Sequence, residues 1–433
     1  MNELEKNLSI AIMDKSTELH RRFFAPLWPC LEASPRQRQC QEYSDKDFLE
    51  VGMSRVVIDC QSGRDLLQRL ALMRDGTPGR SNFFESLKSK RRLQMVEDVA
   101  ERLRQKSSGD LPDALAAFSE LDGFDVYAGD GHSHKHACHD EKVHGTKLCV
   151  THLYTRNLRN GWMTPLSLCT VKDKGNHHDM AVLKSLAPAT LRQGAKRRRK
   201  VIYAYDRAAI DFEQWNKWKQ GNGIYFISRT KETLNLAFQK MNDFDRENQI
   251  NANVLRDEVV TAATSTHLLR RIVFWDVLES VSYEFISNEM TLPPGLIAHL
   301  YRMRWDIEKS FDEFKNKLHE TKAWASSHNA KQIQAHLICL TENLLLLLRY
   351  SLEIPEKHSQ RGRNQTPATA PHQSGYRGHQ KWREGSTSTA HAATFDTDKR
   401  QVHTMGSCLA LLPSPVGSSH DAFTYFLCLF MTS

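Results

Sequence analysis

The chain has 433 residues, a formal net charge of +8 and a pI near 8.9, enough length for a full core and more than one domain. That moderately basic balance suits a polyanionic partner without demanding one. Nine irregularly spaced cysteines with no CxxC pair exclude a disulfide framework and point to reduced thiols. The N-terminal MNELEKNLSIAIMDK has early acids and no long apolar run, and the runs at 337–348 and 423–431 fall short of the roughly 20 residues of a membrane helix. A cytoplasmic protein is expected.

Residues 1–115 read as a helical domain, with one pattern from Leu66 to Met73, a Gly-Thr-Pro-Gly break at 76–79, and a second pattern from Asn82 to Leu103. Ser81 can cap the second helix, and Lys88, Lys90, Arg91 and Arg92 cluster near its middle. Two helices across a Gly-Pro turn permit a helix-turn-helix that binds duplex DNA; a helical domain with a solvated basic face is the competing reading.

From about residue 120 the pattern changes to strands. Phe124, Val126 and Ala128 alternate with other residues up to Gly129, Asp130 and Gly131, and β-rich runs follow at 147–153 and 164–171. A helix is expected over 179–193, then the basic block Lys196 to Lys200, then an apolar strand, Val201 to Tyr205, that delivers Asp206 at its end. A helix over 212–219 and a strand over 224–228 complete this part. Residues 232–293 read as a β insertion with strands at 253–264, 269–277 and 280–290, after which Pro294 suits a helix start. A leucine-rich core helix is expected over 332–350.

In Tyr301 to Lys315, YRMRWDIEKSFDEFK, helical spacing puts Tyr301, Arg304, Glu308 and Lys315 within roughly 60° of one another. Leu300, Ile307, Phe311, Phe314 and Leu318 form an apolar stripe beside them. Periodicity alone also fits an amphipathic helix with a surface Arg304–Glu308 pair.

The order Tyr, two residues, Arg, three residues, Glu, six residues, Lys resembles the YREK signature of DDE transposases of the insertion-sequence type. The resemblance extends over about 120–350, loosely over 1–115, and not over the tail. It implies an α/β fold: a ribonuclease-H-like mixed sheet with flanking helices and a β-rich insertion, behind an N-terminal helical DNA-binding domain. It also implies that Asp130, Asp206 and Glu308 are the catalytic carboxylates and ligands of two Mg²⁺ ions, with Mn²⁺ as a substitute, each aspartate at a strand end. Tyr301, Arg304 and Lys315 would bind phosphates of the DNA. The implied partners are double-stranded DNA, as terminal inverted repeats and target, and a second subunit in a homodimeric paired-end complex. Water and then a freed 3′ hydroxyl would be the nucleophiles, and an insertion aromatic, Trp275, Tyr283 or Phe285, could stack on an extruded base.

Competing readings stay open at this level. A catalytically inactive relic or repressor of the same fold would also bind DNA. His132, His134, His136, Cys138, His139, His144, Cys149 and His152 invite a zinc reading, although their spacing fits no familiar ligand pattern and a polar loop and strand beside DNA is the alternative. The Lys196 to Lys200 block could brace a DNA backbone or be a solvated turn. The tail, 353–433, has few large apolar residues over 358–404, which predicts disorder, and its apolar end resembles a shifted reading frame.

Overall fold

The computed structural model describes residues 17–361, apart from 39–42, 59, 61, 74–77, 143–144, 148, 170–178, 264, 317 and 319–320. Residues 76 and 77 of the expected break therefore lie outside the described residues, as does the tail beyond 361.

Nine strands form one mixed sheet: β1 (Phe124–His134), β2 (Val150–Asn157), β3 (Met163–Cys169), β4 (Lys200–Tyr205), β5 (Ile224–Arg229), β6 (Leu236–Met241), β7 (Val254–Ala262), β8 (Ser265–Asp276) and β9 (Val281–Ser287). Their order is β3-β2-β1-β4-β5-β9-β8-β7-β6. β4 is the axis because Val201 to Tyr205 are apolar and buried, as a strand covered on both faces requires, and it pairs in parallel with both β1 and β5.

The two faces separate at period 2. Val126, Ala128, Ile202 and Ala204 enter one core with the helices that follow the insertion, whereas Tyr127, Tyr203 and Tyr205 enter a second core with Trp215 and Trp218. The insertion is not a separate small sheet: β9 pairs antiparallel with β5, and β8, β7 and β6 extend the sheet from there. β6 escapes the sequence reading because it is an exposed edge strand with no buried face to impose alternation.

The helices are α1 (described over 17–24), α2 (Trp28–Glu32), α3 (Asp45–Val57), α4 (Gly63–Met73), α5 (Arg80–Lys88), α6 (Lys90–Ser107), α7 (Asp179–Ser185), α8 (Pro188–Leu191), α9 (Phe212–Asn222), α10 (Pro294–Met303), α11 (Trp305–Asn316) and α12 (His328–Arg361). Three expected helices are broken. The helix expected from Asn82 divides at Ser89, whose side chain, rather than that of Ser81, caps the next segment by accepting the Arg92 N–H. The helix expected over 179–193 divides at Ala187, ahead of Pro188. The site helix divides at Arg304, where two i→i+3 bonds tighten the chain: Arg304 N–H to Tyr301 O at 3.1 Å and Ile307 N–H to Arg304 O at 3.0 Å.

α12 packs across α3, α5, α6 and β3, so the N-terminal helices share a core with the helix that follows the site. It is long and apolar enough to span a membrane by length and composition, but Leu337, Ile338, Leu340 and Leu344 are buried in that core. It also runs to Arg361, so the start of the expected tail at 353 is helical.

Half of the basic cluster on the N-terminal helices, Arg91 and Arg92, is structural. Arg91 grips the buried Asp45 with two bonds, at 2.7 and 2.8 Å, and Arg92, itself buried, lies 3.3 Å from the same carboxylate. Lys88 pairs with Glu85 at 2.6 Å. Arg91 and Arg92 thus join α6 to α3 through Asp45, while Lys88 and Lys90 stay exposed.

Candidate active site

The sheet sets the two aspartates side by side. The parallel β1–β4 ladder ends at the pair Gly129 and Tyr205, so Asp130 and Asp206 are the next residues on adjacent strands, about 5 Å apart at the Cα by strand spacing. Asp130 follows Val126 and Ala128, and Asp206 follows Ile202 and Ala204, so both project to the face covered by α10 and α11. Asp206 does end its strand: its Oδ1 accepts the Ala208 N–H at 2.8 Å and opens a short 3₁₀ turn, Arg207–Ala209. Asp130 does not. β1 continues to His134, because β2 still pairs with it there, and Asp130 opposes Tyr154. The Oδ1 of Asp130 accepts the Gly131 N–H at 2.8 Å.

Arg304 joins the helix to the sheet. Its guanidinium donates Nη2 to Glu308 Oε1 at 2.8 Å and Nη1 to Asp130 Oδ2 at 3.4 Å, with only 4 % of the residue exposed. Burial opposes the charge on Arg304, but Tyr301, Asp130 and Glu308 outweigh it and raise the guanidinium pKa. Tyr301 is buried against Phe285, ring centroids 5.1 Å apart, and burial pushes its phenol up while Arg304 pulls it down and Asp206 adds to the rise. Asp130, Asp206, Tyr301, Arg304 and Glu308 therefore form one neighbourhood. Lys315 stands apart: it is exposed in the last turn of α11, seven residues and about 10 Å of helix beyond Glu308.

The donor set fits hard divalent cations. Three carboxylates, oxygen donors only, arrive from β1, the end of β4 and α11, and two of them already share a cation in the Arg304 guanidinium. Among the described residues, no three His, Cys, Asp or Glu side chains close around one point in this arrangement, and Glu308 is engaged with Arg304 instead.

Three of the histidines lie in strands, whereas His136, Cys138 and His139 belong to the loop after β1 and His144 lies outside the described residues. His132 and His134 lie in β1 and His152 in β2, all three buried, with the His132 ring 4.9 Å from Phe311 and 5.9 Å from Phe314, and His134 stacked on His152 at 5.6 Å. They pack the floor beneath α11. Burial, with His134 next, holds the His152 imidazole well below its ordinary range, so it stays neutral. The zinc expectation finds no cluster of ligands among the described residues.

The basic block sits at the other end of β4 from Asp206. Arg199 pairs with Asp125 at 3.1 Å and donates to the Phe124 and Leu121 carbonyls, while the Lys196 N–H donates to Asp125 at 2.7 Å. Six residues of strand, about 20 Å, separate it from the aspartates, so it does not brace DNA at that edge. Of the insertion aromatics, Tyr283 and Phe285 are core residues, with Arg229 over the Tyr283 ring at 4.5 Å; Trp275 is 37 % exposed.

Sequence reasoning missed Arg156, whose Nη1 donates to Ser310 Oγ at 2.9 Å and staples α11 to β2. No motif marks it, because its partner lies 154 residues away.

A mixed sheet with helices on both faces and paired aspartates at neighbouring strands, under a helix that brings a glutamate, defines the ribonuclease-H-like class of the DDE enzymes. The family model for the transposase DDE domain matches residues 117–344, more than half of the chain, and the chain belongs to that family. No curated protein matches it.

Proposed function

We propose that the protein is a transposase of the YREK type that binds the ends of its element as double-stranded DNA, cleaves them and joins the 3′ ends to target DNA. The observation that carries this reading is the convergence of Asp130 and Glu308 on Arg304, with Asp206 on the next strand and Tyr301 against the same guanidinium.

In this reading Asp130, Asp206 and Glu308 hold Mg²⁺, or Mn²⁺ in its place. The ions would supply activation of the attacking oxygen and stabilisation of the leaving one. The chain's own part is positional. β1 and β4 fix the aspartates relative to one another, the tightened turn at Arg304 aims Glu308 back at the sheet, and Tyr301, Arg304 and Lys315 offer a phenol and two cations to backbone phosphates. The helices of residues 1–115 serve as the end-binding domain, residues 120–350 as the catalytic domain with its insertion at 232–293, and two subunits assemble to pair the ends.

The test is Mg²⁺-dependent nicking of a duplex carrying the element's own terminal repeat, by the full chain and by Glu308→Gln. Nicking is expected to vanish in the variant while duplex binding stays within twofold. Retained nicking refutes the carboxylate assignment, and binding without nicking by the unaltered chain favours the inactive alternative.

A further inference from the structure

Arg304 is the most deeply buried cation at the site, and the way it is held is unlike that of a side chain waiting for a solvent-side phosphate. Its two ends grip carboxylates from two different elements, Glu308 of α11 at 2.8 Å and Asp130 of β1 at 3.4 Å, and its guanidinium lies 5.5 Å from the Tyr301 ring and 5.3 Å from the Trp305 ring. Aromatic faces on the same guanidinium add to the hold. Lys315, the other cation of the motif, is exposed and far along the helix.

We infer that Arg304 is an internal countercharge of the carboxylate site, which holds Asp130 and Glu308 in the absence of divalent cations and is released from them when cations bind. This rests on the proposed function, in which those carboxylates are the metal ligands. The physical reason is competition for the same oxygens. Two carboxylates brought together from a strand and a helix repel unless a cation lies between them, and the guanidinium supplies one charge at a place where a divalent ion would supply two. A guanidinium and a divalent ion on Glu308 Oε1 and Asp130 Oδ2 at the same time are like charges a few ångströms apart, so the binding of either weakens the other.

A functional order follows. Metal entry frees a long, rigidly forked donor beside the carboxylates, and a guanidinium that has lost its carboxylates is matched to a phosphate. Metal binding and phosphate binding thereby reinforce each other, and by linkage the enhancement is reciprocal. A site arranged this way keeps Asp130 and Glu308 partly neutralised until metal enters.

The experiment uses the full-length protein without DNA, titrated with Mn²⁺ and read by calorimetry. Arg304→Gln, which removes the competing charge, is expected to bind Mn²⁺ at least tenfold more tightly than the unaltered chain. Arg304→Lys, too short to bridge 2.8 and 3.4 Å contacts on two elements, is expected to tighten binding as well, and carries the test if the Gln variant does not fold. Unchanged or weaker Mn²⁺ affinity in a folded variant overturns the inference. Asp130→Asn and Glu308→Gln are each expected to lose Mn²⁺ binding; if they retain it, the metal-ligand reading itself fails, whatever Arg304 does. In a second arm, Ca²⁺ is expected to raise the affinity of the unaltered chain for a duplex of arbitrary sequence at least fivefold, and to raise it less than twofold in Arg304→Gln. An equal rise in both overturns the coupling.

Discussion

Gly129→Ala tests whether the β1–β4 contact sets the aspartate pair. A Cβ at this position would lie 2.3 Å from Tyr205 Cε2 and 2.5 Å from Cδ2, against an ordinary carbon contact of about 3.5–4.0 Å, so ring and strand must part by more than about 1 Å. Tyr205 is fully buried beside Trp215 and Tyr203 in the second core and cannot swing into solvent. Overpacking of this kind costs about 1–3 kcal/mol. On the proposed assignment of Asp130 and Asp206 the functional cost is larger, because Gly129 and Tyr205 directly precede them, and a displacement of about 1 Å at reacting groups costs about 100-fold in rate. Thermal melting, duplex binding and Mg²⁺-dependent nicking should be measured together. The expected result is a lowered melting temperature, unchanged duplex binding and nicking reduced about 100-fold. Adding Tyr205→Leu, which removes the clashing ring, is expected to recover most of the loss. Full nicking by Gly129→Ala would refute the reasoning, since the strand pair would then tolerate the shift without moving the aspartates.

Two further expectations concern stability. Arg270→Ala should lower stability to urea by about 3–5 kcal/mol, because the guanidinium contacts Asp257 at 2.6 and 2.9 Å and the Leu292 carbonyl at 2.5 Å, and its removal leaves the buried Asp257 charge without its cation; a loss below about 1 kcal/mol would contradict this. Glu342→Gln should stabilise the protein at pH 8 by about 1–3 kcal/mol and do little at pH 5. Burial, then the facing Glu313, raises the Glu342 carboxyl to about 7, so its contribution is fully present below the ordinary carboxylate pKa and lost as pH rises through 7. Equal stabilisation at both pH values would show the effect to be packing and not charge.

How much of this was legible depends on whether a residue's partner is local. β4 could be placed because five consecutive buried apolar residues need no distant information, and α10 could be started at Pro294 because proline acts on its own backbone. Asp206 followed from β4. The division of the site helix at Arg304 was not legible, since the apolar stripe of Leu300, Ile307, Phe311 and Phe314 keeps nearly the same phase through a short 3₁₀ tightening. The histidines misled for a related reason: imidazole counts as polar in a sequence, yet His132, His134 and His152 share one covered face of the sheet, where the rings pack as aromatics do.

The same limit governs the reading of charge. A net +8 suggested a surface for polyanions, but several arginines are spent on buried carboxylates, Arg91 and Arg92 on Asp45, Arg199 on Asp125 and Arg270 on Asp257. Lysines such as Lys196, Lys240 and Lys315 stay outside. The division follows from chemistry: a planar fork with five donors satisfies a buried carboxylate and nearby carbonyls at once, whereas a strongly hydrated ammonium is costly to bury. In this fold, therefore, an arginine beside a carboxylate is by default a strut, and Arg304 obeys that habit even though it stands among the site residues. What separates it from the others is the identity of its partners. Asp45 and Asp257 close one structural joint each, but Asp130 and Glu308 are the carboxylates on which the proposed metal chemistry depends, so only at Arg304 does making the strut compete with making the site.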